Sequence, residues 1–267
     1  VHDLTLGPNA GGFPVLLDGE VSRQGFPSFF VRAIPAKTSL AVLAAWAAAG
    51  LVAGPPRRAG WAPAVGVALG ALLLLSLTRF TVGLRYALLA LPLLHLAAGR
   101  LAASAGRPRR EAWLRLGACA AVVVAAAAEL SAVYPYPRGY LHTAVARGHR
   151  ARALADSDLD WGEGLLALRD FVQARGLTGW GLSYHGSAWP ELYGLRPAWY
   201  ENPLTAPPAP PRPTRGWLFV SSTNLGGLFL RDDRYRDLRA VEPDALVGGT
   251  IFAFDLDRLA AGRPVGP

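Results

Sequence analysis

The sequence predicts an α-helical membrane bundle of about four transmembrane helices followed by a small extracytoplasmic α/β domain. Three observations predict it. Four apolar runs, roughly 34–54, 60–78, 84–103 and 112–133, each approach the ~20 residues a helix needs to cross the hydrocarbon core. The arginines between them alternate in density: Arg57 and Arg58 follow the first run, and Arg107, Arg109 and Arg110 follow the third, with Arg100 just before. Beyond the fourth run the pattern changes to helical and strand-like segments in alternation, the mark of an α/β layer.

The arginine-rich loops are read as cytoplasmic, because Lys and Arg accumulate on that side. The chain start, the turn between Arg79 and Arg85, and everything after Val133 then face the outside. The division is 1–33 as an external loop, 34–138 as the membrane bundle and 139–267 as the α/β domain. The formal charge of +8 lies wholly before Gly139, since acidic and basic residues balance after it. The excess therefore belongs to topology and to anionic headgroups, and a nucleic-acid partner is not expected.

Within 1–33, Gly7, Pro8, Gly11, Gly12 and Pro14 break regular structure, and residues 26–30 read as an interfacial aromatic patch. Pro92 falls inside the third run and predicts a kink. The fourth run is rich in Ala and Gly, which suits close packing in a bundle. Cys119 stands alone, so no disulfide within the chain is possible. The chain lacks methionine and a basic, apolar leader. It is expected to be the carboxy-terminal piece of a longer polytopic protein.

In the α/β domain, apolar residues at Leu165, Leu166, Leu168, Phe171 and Val172 predict an amphipathic helix over 163–175, stopped by Gly176. Residues 179–184, 217–221 and 250–256 read as strands, with Phe252 and Phe254 sharing a face. Residues 224–230 read as a short helix or turn, 234–240 as a polar helix and 203–213 as an exposed proline-rich connector.

Lys37, the only lysine, and Arg85 lie at the outer ends of the first and third runs, with Arg79 a further cation. Such charges either snorkel to headgroups or point inward to grip an anionic lipid phosphate, which a guanidinium binds in two-pronged fashion. Glu129 lies near the outer end of the fourth run and calls for an arginine partner or a polar cavity. His95 is the other polar residue at membrane depth.

Asp156, Asp158 and Asp160 alternate ahead of Trp161 and Glu163. An EF-hand is excluded because Trp161 and Ala167 occupy the positions of its glycine and its bidentate glutamate. Two readings remain: Asp160 caps the following helix with Glu163 favouring its positive end, or the segment contacts a sugar or a metal, with Trp161 stacking on a ring. Tyr184 and His185 follow a predicted strand, where α/β domains place ligand contacts. No nucleophile-elbow serine, phosphate loop or zinc spacing occurs.

The stretch Ser22-Arg-Gln-Gly-Phe-Pro-Ser-Phe-Phe followed by Ala36-Lys-Thr resembles the entry to a membrane helix in bacterial protein-mannosyltransferase-like enzymes (glycosyltransferase family 39, ArnT-like, GT-C). Leu84-Arg-Tyr-Ala-Leu-Leu resembles their Arg-Tyr-Leu-Leu-Pro motif, and Asp156-Ser-Asp-Leu-Asp-Trp-Gly-Glu-Gly their Asp-Ser-Asn-Leu-Asp-Trp-Gly-Gln-Asp segment. Gly216-Trp-Leu-Phe-Val-Ser-Ser-Thr and Gly249-Thr-Ile-Phe-Ala-Phe-Asp are similar to their last two strands. Ser39, Ala90, Asp158 and Glu163 depart from the pattern.

The resemblance implies transfer of a sugar from a polyprenyl-phosphate lipid to a glycan, lipid or protein acceptor at the outer face of the cytoplasmic membrane. It implies lipid-phosphate contacts at Lys37 and Arg85, with Arg79 a weaker candidate from its position alone. The catalytic acids would lie in an upstream region, so this chain alone is expected to be inactive. No cofactor is called for, and a divalent metal is compatible. The alternative is a membrane-anchored extracytoplasmic module that binds or senses a ligand without catalysis, for which a closed pocket inside 140–267 is expected.

Overall fold

The computed structural model describes residues 13–52, 62–77, 83–102, 108–142, 145, 153–154, 158–206 and 209–262. Arg79 and Asp156 lie outside them, as do Arg57, Arg58 and Arg107. The chain is a mixed helix-and-sheet protein in two compact units, one of Gln24–Pro135 and one joining Phe13–Arg23 to Tyr136–Pro267.

The second unit opens with a hairpin, β1 (Val15–Leu17) and β2 (Glu20–Ser22), paired antiparallel with Leu16 opposite Val21. Asp18 and Gly19 form its turn with φ of 52° and 88°, the left-handed pair that a two-residue hairpin loop demands.

The first unit is helical. Its elements are α1 (Phe29–Lys37), α2 (Leu40–Val52), α3 (Ala62–Leu77), a 3₁₀ turn over Leu84–Leu89 running into α4 (Ala90–Ala98), and α5 (Arg109–Val133). Two stretches, Leu84–Ala102 with 19 residues and Arg109–Val133 with 25, are long and apolar enough to cross a membrane. A third arises only if α1 and α2 count as one span bent by 119°.

This corrects the expected first span, because the 34–54 run is broken at Thr38 and Ser39. Thr38 is extended and its Oγ1 donates to Ile34 O at 2.6 Å, closing α1. Ser39 Oγ accepts from Ala41 N and opens α2. α3, the described part of the second run, has 16 residues and falls short of the span length.

Pro92 falls in the first turn of α4, just after the 3₁₀ turn Leu84–Leu89 passes into α-helix at Leu89–Ala90. Two other expectations are corrected. Phe29 and Phe30 are buried and meet edge to face at 5.3 Å, so they do not form an exposed aromatic patch. No residue of α5 is buried, because that helix packs only along one side, against α2 and the turn Gly99–Ala102.

The second unit continues with α6 (Leu165–Ala174), β3 (Gly181–Ser183), β4 (Trp199–Glu201), β5 (Trp217–Ser221), α7 (Ser222–Leu225), β6 (Ala245–Val247), β7 (Ile251–Asp255) and α8 (Leu256–Ala260). The strands form one sheet in the order β4-β3-β5-β7-β6. β3 runs parallel to β4 and β5, whereas β7 runs antiparallel to β5 and β6.

Strand alternation sorts side chains to two faces. Phe219, Ile251 and Ala253 join Leu165, Leu168 and Val172 of α6 on one face. Leu218, Val220, Phe252 and Phe254 join Tyr235 and Leu238 on the other. Gly176, at φ 58°, ends α6 as expected. The polar helix expected over 234–240 is only the 3₁₀ turn Leu238–Ala240, while β4 and β6 are strands that the residue pattern did not announce.

Candidate functional site at the carboxyl edge of the sheet

The parallel strands β3, β4 and β5 all end at the same edge, and β7 begins there. The buried polar side chains of the described residues gather at these ends. Ser183 ends β3 and His185 lies just beyond it, Glu201 ends β4 and Asn202 follows, Ser221 ends β5 and leads into Ser222 to Asn224, and Thr250 precedes β7. Asp158 and Asp160 come to the same place from the segment before α6. β4 lies to one side of β3 and β5 to the other, so the order in which strands are added reverses between β3 and β5. Open α/β sheets bind ligands outside the strand ends at such a reversal.

Asp160 is 1 % exposed at that point. Its Oδ1 accepts from Gly162 N at 3.0 Å and its Oδ2 from Thr223 N at 3.5 Å. Burial raises its pKa to about 6, while these backbone donors and the nearby His185 hold it down. Asp160 therefore does not cap α6. That helix begins after Gly164 with no side-chain cap, because the aspartate is turned inward toward β5. Glu163 likewise serves another purpose: Oε2 accepts from Trp161 N at 2.8 Å, and Oε1 pairs with Arg138 Nε at 2.6 Å. The Arg138 guanidinium also lies over the Trp161 ring at 5.7 Å. Trp161 itself is 56 % exposed.

Tyr184 is buried and donates from its hydroxyl to Gly162 O at 2.8 Å. Burial, then the charge of Asp160, push its pKa upward. A Cβ on either Gly162 or Gly186 would overlap that hydroxyl, so both glycines are required by the close passage of backbone past the ring. His185 donates its backbone N–H to Ser221 Oγ at 3.1 Å. Its ring stacks on Phe229, 5.1 Å between centroids and 9° from parallel.

A second buried network lies alongside. Glu201 Oε2 accepts from Ser183 Oγ at 2.8 Å and from the Tyr235 hydroxyl at 2.6 Å, and Oε1 accepts from Arg234 at 2.7 Å. Asn224 Nδ2 extends the chain to Ser183 Oγ at 2.9 Å. Burial and the bond to Glu201 raise the Tyr235 pKa. Asp232, held by Arg234, has its carboxyl lowered below the ordinary range.

The structure thus brings Asp158, Asp160, Tyr184 and His185 together, with Trp161 and Glu163 beside them on Arg138. Lys37 and Arg85 belong to the helical unit. Lys37 is the last residue of α1, which packs against the Leu84–Leu89 turn that carries Arg85. Arg85 is exposed, with its guanidinium 5.3 Å from the Tyr86 ring. Glu129 accepts from Ser39 Oγ at 3.0 Å. An apolar cavity of about 690 Å³, walled largely by alanines of α2, α4 and α5, includes His95 and Arg115 in its lining. His95 lies edge to face with Trp46 at 5.1 Å.

Sequence reasoning missed Glu201, Asn202, Ser183, Asn224 and Arg234. The available signal was a polar run directly after an apolar strand, Ser221-Ser-Thr-Asn224 and Glu201-Asn202. Among the described residues, no group of three or more His, Cys, Asp or Glu side chains could hold a metal ion. No protein-family model, curated protein or solved structure matches this chain.

Proposed function

We propose that this chain is the carboxy-terminal portion of an integral membrane glycosyltransferase. The enzyme would move a sugar from a polyprenyl-phosphate donor to a glycan, lipid or protein acceptor at the outer face of the cytoplasmic membrane. The observation that carries the reading is the Asp158-Leu-Asp-Trp-Gly162 segment, the most specific part of the resemblance. It is tied to the carboxyl edge of the sheet through Asp160, Gly162 and Tyr184. The apolar stretches Leu84–Ala102 and Arg109–Val133 support a membrane setting, and the arginine distribution supports an exterior sheet unit.

Lys37 and Arg85 are the proposed phosphate contacts, supported by the packing of α1 against the Leu84–Leu89 turn. In this role they bind the diester in the ground state and offset the charge that grows on the leaving phosphate as the glycosidic bond breaks. An upstream aspartate would take the acceptor proton, with inversion at the sugar carbon. The apolar cavity by α2, α4 and α5 suits the tail of a membrane lipid.

The test is binding of a radiolabelled polyprenyl-phosphate sugar to the detergent-solubilised full-length protein. Lys37→Gln and Arg85→Gln are each expected to weaken binding about tenfold, the worth of one charge-assisted contact. Unchanged affinity in both variants assigns the two cations to headgroup snorkelling and ends the proposal.

A second reading, an extracytoplasmic ligand-binding module, is favoured by one observation. The sheet unit holds a cavity of about 210 Å³ beside Glu201 and Arg234.

A further inference from the structure

We infer that this cavity is a binding site for a small monocyclic ligand bearing a carboxylate or a phosphate. The inference stands independently of sugar transfer. The cavity lies beyond the end of β4 and has a volume of about 210 Å³. That is room for a single substituted ring.

Its lining combines two chemistries. Phe229, Leu230, Pro203, Ala206 and Ala209 supply the apolar part. One face of Phe229 is already covered by the His185 ring, which fixes the phenyl plane. Leu228 packs on Leu16 of the hairpin, and Phe229 packs against that pair. This part is therefore preorganised for the C–H face of a ring.

The polar part of the lining is Glu201, Asn202, Arg231 and Arg234. Both oxygens of Glu201 are occupied, by Arg234, Ser183 and Tyr235. Of the five N–H donors of a guanidinium, Arg234 commits one Nη1 donor to Glu201, and its Nε and one Nη2 donor to Asp232. One donor remains on each terminal nitrogen. Arg231 forms no ion pair among the described residues. Asn202 adds nothing to the reading of a ligand, since its amide is committed to Gly186 O, the Tyr200 hydroxyl and Leu204 N. The polar part is thus rich in cationic donors and short of acceptors, so the ligand must supply the acceptors. Guanidinium groups pair most strongly with carboxylate and phosphate oxygens.

The experiment is calorimetric titration of the detergent-solubilised protein with glucuronate, glucose 6-phosphate, glucose and inorganic phosphate. Binding by one or both charged sugars is expected, with glucose and bare phosphate about tenfold weaker or worse. Arg231→Gln should remove the charge preference, and Ala209→Phe should abolish binding by filling the cavity. Hydrogen exchange at the amides of β3 and β5 checks that both variants remain folded. Glucose binding as tightly as glucuronate overturns the anionic class, and phosphate binding as tightly as the charged sugars overturns the ring. Binding by none of the four, or equal binding in both folded variants, overturns the site.

Discussion

Substituting Asp160 by Asn should abolish a pH dependence that the native sheet unit carries. The carboxyl is almost wholly buried, and its pKa rises from 3.8 to about 6, chiefly because burial disfavours the charged form. A group that holds its proton more tightly folded than unfolded lends its full stability below pH 3.8 and loses it as pH rises through 6. The shift of about two units corresponds to ~3 kcal/mol, with half of the loss reached near pH 5. Asn retains an acceptor for Gly162 N and gives up the long contact with Thr223 N. The variant should therefore be flat with respect to this term. The assay is hydrogen exchange of the slowest amides in β3 and β5, corrected for intrinsic rates, in both proteins from pH 4 to 8. The stability of the native protein relative to the Asn variant should fall by ~2.5 kcal/mol across that range. His185, Glu163 and Tyr184 are the titratable neighbours of the carboxyl, and all three are present in both proteins. A difference that stays constant with pH, or rises with it, refutes the argument that Asp160 is held in a desolvated site.

Other consequences follow from the same edge. Gly162→Ala should cost about 2–4 kcal/mol, combining overlap with the Tyr184 hydroxyl and a backbone at φ 86°. Adding Tyr184→Phe should restore part of the loss in urea melts, and no restoration would mean that the clash lies elsewhere. Glu201→Gln should cost about 2 kcal/mol, less than a fully buried pair because the Arg234 side chain is 24 % exposed. That loss should be seen as a lower urea midpoint at unchanged slope.

The legible parts of this fold were those with a strong period. Residues 217–221 and 251–255 alternate between two buried faces, so Leu218 and Val220 part from Phe219 and show a strand. The helix at Leu165–Ala174 carries its apolar residues on one side, and Gly176 marks its end. β4 was hidden because Trp199, Tyr200 and Glu201 become a strand only by pairing with β3, and Trp199 and Tyr200 are only partly buried. The hairpin was legible and was overlooked, since Asp18-Gly19 between short apolar segments is a strong turn signal. At the site, Tyr184, His185 and Asp160 could be found because they flank a strand or a distinctive motif. Glu201 and Arg234 could not, because 33 residues separate them and only the closing of the sheet brings them to 2.7 Å.

The break in the helical unit bears on where a ligand phosphate would sit. In an apolar setting every backbone group must find a partner inside the protein, so a chain leaves the helical path only where side chains or a lined cavity supply that partner. Thr38 and Ser39 do so with their hydroxyls, on Ile34 O and Ala41 N, and Ser39 also donates to Glu129. Lys37 ends the helix immediately before this corner. Arg85 lies in the second departure from α-helix, the 3₁₀ turn Leu84–Leu89, which packs against α1. The two cations therefore stand where the unit departs from regular α-helix, whereas snorkelling requires only a regular helix end near water. Removing the corner's hydroxyls distinguishes the two. Replacing Thr38 and Ser39 together by Ala would leave Lys37 and Arg85 in the sequence and remove the hydroxyls that hold the turn. Under the phosphate-site reading, donor-lipid binding should fall with both charges still present. If binding persists undiminished, the corner has no part in positioning them.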